Sequence, residues 1–190
     1  NSDSGLSPGA DGLRIAGGSP TINANTFKNN RYGTYIASAP GATISSNTFT
    51  ANAVVAIESS GAAASFSANS GSNNGFNAIV LTGDITSNAI GTTTLKYNPL
   101  SYLIKNEVNV VSSTTLTFDP QVVVKGHADF NNLAGKLTIK SSGKIFFDGS
   151  SAGNLIFTSL YDDSVGGDTD NAVNTPAAGD WYGLVIESGG

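Results

Sequence analysis

Apolar and polar residues alternate in short bursts along the first half of the chain. Leu13 and Ile15 flank Arg14, Thr34 and Ile36 flank Tyr35, and Val55 precedes Ile57 by two. Alternation with a period of two over so few residues predicts short strands with one buried face. Tyr35, between two inward positions, is expected to point outward. Gly, Ser, Asn and Pro fill the gaps between bursts and predict tight corners. No segment holds a helical period over three turns.

The bursts recur. "TINANTFKNN" (21–30) returns as "TISSNTFTAN" (43–52) and again, degraded, as "ASFSANSGSN" (64–73). Asn25, Asn47 and Asn69 share a spacing of 22, as do Asn30, Asn52 and Asn74, and as do Ile22, Ile44 and Phe66. Phe27 and Phe49 begin a further column that Gly71 breaks. Ile15, Ile36 and Ile57, spaced by 21, are expected to lie in register, continued by Ile79 or Leu81. Two strands and their corners in about 22 residues make one coil of a parallel β-helix, which buries its core only by stacking on its neighbours. A buried Asn column suits that stack, because the amide both donates and accepts along it. A leucine-rich solenoid would need a leucine frame, which is absent.

From Asn98-Pro99 onward the style changes. "NEVNVVSSTTLTFDPQVVVKG" (106–126), "KLTIKSSGKIFFDG" (136–149) and "NLIFTSL" (154–160) keep short alternating strands, but the Asn columns stop. "LTF" (116–118) and "LTI" (137–139) are 21 apart and are expected to stack. The reading is one continuous β-helix over 1–190, with Asn-ladder coils over 1–97 and second-style coils over 98–190. At about 4.8 Å per level, eight or nine coils would form a rod of roughly 40 Å.

Composition fits such a stack. Charged residues are 12%, apolar residues 39%, and 23 of 190 residues are Gly. There is no Cys, which excludes disulfides and thiolate metal sites, and no Met, which reads as a processed or excised piece. The net charge is −5 with arginine only at 14 and 31, so a nucleic-acid partner is not expected. No apolar run reaches the roughly 18 residues of a membrane span.

"NTFKNNRYGTYI" (25–36) resembles the N-T-F-x-N-N-x-x-G-x-x-I coil of right-handed parallel β-helix repeat proteins of the carbohydrate-binding and sugar-hydrolase type. "IFTSLYDDSVGGDTDNAVNTPAAGDWYGLVI" (156–186) is similar to a longer motif of secreted and surface bacterial β-helix proteins: I-x-F-T-S, an acidic Gly-rich insertion, then G-D-W-x-G-I, with Leu184 in place of the usual Ile. The resemblance implies an all-β, right-handed parallel β-helix in an exported, repetitive and very long prokaryotic chain at the cell surface or outside the cell.

Chemistry concentrates in the acidic insertion at 161–180, which holds Asp162, Asp163, Asp168, Asp170 and Asp180. Carboxylates at 168 and 170 can wrap a hard cation, with Asn171 and loop carbonyls completing the six or seven oxygens of a Ca²⁺ site. No Glu closes the loop as in an EF-hand, and the bland alternative is a solvated Asp/Gly loop that caps its own turns. Catalysis is not the favoured reading. A lyase would need an Arg or Lys base beside an acidic cluster, and both arginines lie in the other half of the chain. A hydrolase would need two opposed carboxylates, and within the regular coils Glu58 stands alone between Asp11 and Asp84. His127, the only histidine, is read as a surface residue. Tyr32, Tyr35, Trp181 and Tyr182 are candidates for stacking on sugar rings, and Trp181 is expected to pack its loop onto the rod. The expected role is a non-catalytic, stiff structural module of an extracellular fibre or adhesin. End-to-end stacking or tandem copies, and surface glycans, are the expected partners. A carbohydrate-binding or polysaccharide-cleaving module is the competing reading.

Overall fold

The computed structural model describes residues 10–61, 64–86, 92–111, 113–127, 135–148 and 153–189. Every regular element among them is a strand, and every pairing is parallel. Among the described residues, no helix is long and apolar enough to cross a membrane.

The Asn-ladder half winds through three faces. Strands β2 (Thr21–Asn23), β5 (Thr43–Ser45) and β8 (Ser65–Ser67) form one short sheet, and β3 (Thr26–Lys28), β6 (Thr48–Thr50) and β9 (Ser70–Ser72) a second. Strands β1 (Leu13–Ile15), β4 (Tyr32–Ala37), β7 (Val55–Ser60) and β10 (Ala78–Ile85) open a nine-stranded sheet. That sheet continues through β12 (Ser101–Val110), β14 (Val123–Gly126), β15 (Lys136–Ile139), β17 (Ile156–Ser159) and β18 (Gly183–Ile186). In the second half it is faced by one short sheet of β11 (Thr92–Leu95), β13 (Thr115–Phe118) and β16 (Lys144–Phe147). The architecture is a parallel β-solenoid.

The corners explain why Asn recurs. The residue before each ladder Asn is left-handed: Ala24, Ser46 and Ala68 have φ of 57°, 55° and 53°, and Asn29, Ala51 and Asn73 have φ of 60°, 53° and 54°. Ala24, Ser46, Ala51 and Ala68 carry side chains other than that of Asn or Gly—an unfavourable choice for this region—so the turn must be held from outside itself. The ladder Asn, the next residue in each case, holds it. Asn47 Oδ1 accepts the Asn25 backbone N–H at 2.9 Å, and Asn69 Oδ1 accepts that of Asn47 at 3.1 Å. The Nδ2 groups of Asn47, Asn52, Asn69 and Asn74 each reach back to a carbonyl of the level before, as Asn69 does to Ile44 O at 2.8 Å. The second ladder repeats this through Asn30, Asn52 and Asn74.

The first ladder does not stop where the repeat does. Asn69 N–H donates to Asn98 Oδ1 at 3.1 Å, so Asn98 is its next rung, hidden by a spacing of 29. Gly71 breaks the phenylalanine column because Leu100 fills the space: a Cβ at Gly71 would lie 2.9 Å from Leu100 Cδ2.

Two register expectations are corrected. Ile15 does pair with Ile36, but Ile57 pairs with Thr34 and Ile79 with Ile57, while Ile36 and Leu81 flank Ser59. The corner from Asn52 to Val55 uses one residue more than that from Asn30 to Tyr32, which slides the strand. "LTF" and "LTI" do not stack: β13 lies in the short sheet and β15 in the long one. The long sheet has seven levels among the described residues, and its second-half coils carry excursions. The ten residues of β12 pair first with β14 and then with β15, and one level on β17 and β18 repeat that split. The acidic insertion thus joins β17 to β18, the counterparts of β14 and β15 one level earlier.

Thr34 is wholly buried between Leu13 and Ile57 in its column, and its Oγ1 has no hydrogen-bond partner. Val has the same shape without the stranded hydroxyl. Thr34→Val is expected to stabilise the protein by about 1 kcal/mol, read as a rise in thermal midpoint of about 2–4 °C. An unchanged or lower midpoint would show that the hydroxyl is satisfied in solution.

Candidate functional site: an acidic strap on the long sheet

Outward-facing residues of the long sheet form one column through successive levels: Arg14, Tyr35, Glu58, Val80, Leu103, Lys125 and Thr158. Its middle is apolar, with Val55, Ala78, Val80 and Leu103 buried in a cluster outside the solenoid core. The insertion is responsible for that burial. Leu160 joins this cluster, Tyr161 packs against it, and the chain then crosses the sheet as a strap before rejoining at β18.

Main-chain oxygens of the strap are its anchors. Gly166 O accepts from Ser101 Oγ at 3.1 Å, and Gly167 O from Lys125 Nζ at 2.7 Å. Thr169 O accepts the Asn77 backbone N–H at 2.7 Å, and Asp168 O the Asn77 side chain at 3.2 Å. Asn77 Oδ1 in turn accepts from Asn74 N at 3.0 Å, so the strap ends on the last rung of the second ladder. Asn171 closes the join, accepting from Asn77 Nδ2 at 3.1 Å and donating to Asn74 O. Asn171 and these carbonyls, expected to complete a cation shell, instead hold the strap to the rod.

The five aspartates divide by role. Asp162 accepts from the hydroxyl and backbone N–H of Ser164 and from Thr158 Oγ1 at 2.7 Å, and these bonds, the Ser164 hydroxyl foremost, hold its carboxyl below the usual carboxylate range. Asp180 accepts from Ser159 Oγ at 2.6 Å and Ala177 N at 2.7 Å, fastening the returning chain. Asp163, Asp168 and Asp170 converge: they present carboxylate oxygens within 4.8 Å of one another. Asp168 and Asp170 also accept backbone N–H groups of Asn171 and Ala172, and Asp170 Oδ2 accepts from Asn174 Nδ2 at 3.2 Å. Three oxygens at that separation can hold a divalent cation.

Lys125 was not singled out from the sequence. Its side chain is wholly buried beneath the strap. Burial pushes its pKa below the ordinary value, opposed by Asp163, Asp162, Asp170 and Asp168. It is an internal counter-ion to the acidic strap. The signal was a lysine interrupting an apolar run, "VVVKG".

Trp181 packs as expected. It stacks parallel to Phe157 at 6.3 Å and lies over Gly126, where a Cβ would come within 2.5 Å of the indole. Tyr182 is 63% exposed, with the Lys136 ammonium 5.4 Å from its ring centroid. His127 is half-buried rather than a surface residue and meets Tyr161 edge-on at 6.1 Å. The chain matches no protein-family model, no curated protein and no solved structure.

Proposed function

We propose that this chain is a non-catalytic structural module, a right-handed parallel β-helix acting as a stiff scaffold in an extracellular fibre or adhesin of a prokaryote. The continuous pair of Asn ladders, tied at Asn74 and Asn77 to a strap from the other half, is the observation that carries the reading. It links distant levels of the rod, so bending or peeling must break hydrogen bonds in both halves together. In the Asn-ladder half the outward columns Thr21–Thr43–Ser65 and Thr26–Thr48–Ser70 of the short sheets are bland, as a spacer requires. Pulling a tandem polyprotein by its ends tests this. Unfolding in single, high-force events supports a scaffold, and gradual peeling at low force removes it.

Self-stacking is part of the proposal. The last level exposes Phe146, Phe147 and Ile186 beside a cavity of about 500 Å³ lined by Phe147, Leu155, Phe157, Trp181 and Leu184. Another coil would cover this surface. Electron microscopy across concentration should show filaments with an axial repeat of one chain; single short rods throughout would eliminate stacking between copies.

Calcium is the proposed occupant of the aspartate triad. Millimolar CaCl₂ is expected to raise the thermal midpoint by about 2–4 °C, equivalent to about 1 kcal/mol. The rise should vanish in the Asp163→Asn/Asp168→Asn double variant. A rise that persists there would place calcium elsewhere, and no rise in the wild type would leave the triad to turn formation.

A further inference from the structure

The strap is held unevenly along its length. As far as Asn171 it is fastened: Leu160 and Thr169 are buried, and Gly166, Gly167, Asp168, Thr169 and Asn171 all bond to the rod. From 174 to 189 no residue is buried. That later part rests on the β15–β18 pairing, on the Ser159–Asp180 and Lys140–Glu187 bonds, and on Trp181 stacked against Phe157.

Between the two parts the chain is bare. Residues 173–179 form the longest run of exposed positions among the described residues, and Val173 is fully exposed. No hydrogen bond joins the backbone of 173–176 to another described residue. Asn174 is tied only through its side chain, which donates to Asp170 Oδ2 at 3.2 Å. Pro176 fixes its own φ and biases Thr175 toward extended backbone. At Ala177 the chain is engaged again, donating to Asp180 Oδ2 at 2.7 Å and accepting from Asp180 N at 3.3 Å.

Exposed segments of small and polar residues are where proteases cut folded chains. A protease that takes its substrate as an added strand needs free backbone donors and acceptors on an extended stretch. Residues 173–176 offer both, and Val173 is the one aliphatic side chain among them. We propose that the Val173–Asn174 bond is a processing site for a serine endopeptidase with a small aliphatic specificity pocket, and that the cut releases β18. Water adds its hydroxyl to the Val173 carbonyl carbon as the C–N bond breaks, and its proton goes to the Asn174 nitrogen. The new acid then passes its proton to the new amine, leaving a carboxylate and an ammonium.

The position of the cut decides its effect. Every bond that fastens the first part of the strap lies before Val173, so the cover on the long sheet stays in place. Before the cut, β18 binds β15 as part of the same chain, at high effective concentration. Afterwards residues 174–190 are a separate peptide held by half-exposed contacts, and dilution removes it. The site does not depend on the scaffold role, and a scaffold that fails its pulling test leaves it standing.

The test is pancreatic elastase in catalytic amount on the whole chain under native conditions, read by intact mass and then by size-exclusion chromatography at low micromolar protein. The first cut is expected at Val173–Asn174. The 174–190 peptide should separate from a folded body whose Asn77 amide keeps its slow hydrogen exchange. Val173→Asp, at a fully exposed position, should keep the thermal midpoint and slow the cut at least about tenfold, because an apolar pocket rejects a carboxylate. A first cut at any other bond overturns the proposal, as does a native chain left whole under conditions that cut the urea-unfolded chain. A peptide that stays with the body, or Val173→Asp cut at the wild-type rate, overturns it too.

Discussion

Asn69→Ala is expected to destabilise the protein by about 3–5 kcal/mol, a large effect for a polar truncation. Asn69 is wholly buried. Its Oδ1 accepts both the backbone N–H and the Nδ2 of Asn47, each at 3.1 Å, and its Nδ2 donates to Ile44 O at 2.8 Å. Truncation strands the buried Asn47 N–H, worth about 1–3 kcal/mol unpaired, and removes a donor from Ile44 O. It also releases the corner at Ala68, whose left-handed backbone the amide fixes. The thermal midpoint should fall by about 8–15 °C. Asn23→Ala, at an exposed site whose amide oxygen accepts only from Ser45 Oγ, should change stability by no more than about 0.5 kcal/mol. Equal losses at the two sites would show that the ladder contributes nothing special.

Asn69→Asp sharpens the test. A carboxylate keeps the acceptor but loses the donor, and it faces the Ile44 carbonyl in a buried site. Burial raises its folded pKa above the unfolded value of about 3.9. Between those two values the folded state binds more protons, so stability falls as pH rises through that window. The Asp variant should therefore be less stable than the Ala variant at neutral pH and recover on acidification, as the protonated acid donates again. A pH-independent difference between the two would exclude a buried carboxyl at this rung.

How much could be read from the sequence depends on the range of each interaction. Asn25, Asn47 and Asn69 were legible because a stack repeats its chemistry at a fixed spacing, and the corners require the same amide at every level. Asn98 performs the same task but was invisible, since the loop before it lengthens the spacing to 29. The strap was legible as a loop, from its length and acidity. Its destination was not: Asn77 and Asp168 are 91 residues apart, and nothing periodic connects them. Lys125 escaped for the opposite reason. A single lysine in "VVVKG" reads as one outward residue of an alternating strand, which it is; what covers it is decided by the chain some 40 residues later. Glu58 appeared isolated because coil spacing separates in sequence what the outward column brings together, here Glu58 and Tyr35.

Lys125→Met is expected to leave the rod folded while freeing the strap. Lys125 lies between Leu103 and Thr158 in the outward column, and its ammonium donates to Gly167 O at 2.7 Å. Methionine fills much the same volume and avoids the cost of burying a charge, so overall stability should hold or rise. The strap, however, loses a hydrogen bond from a charged donor, worth about 1.5–3 kcal/mol, and the one cation beneath its aspartates identified among the described residues. Local opening of such a segment is read by amide hydrogen exchange. The Asn77 amide, bonded to Thr169 O, should exchange about 10- to 100-fold faster, while the core amides of the Asn ladders keep their rates. A second signature is alkaline. Burial holds the folded pKa of Lys125 below its unfolded value, so between the two the unfolded chain keeps a proton that the folded chain has released. Wild-type stability gains a rising slope with pH across that window, and the difference between wild type and Lys125→Met isolates it from every other titrating group. Unchanged exchange at Asn77 would show that the strap is held by Leu160, Ser101 and Asn171 without the lysine. Faster exchange throughout the ladders would mean that strap and rod open as one unit, with Lys125 bracing the whole solenoid.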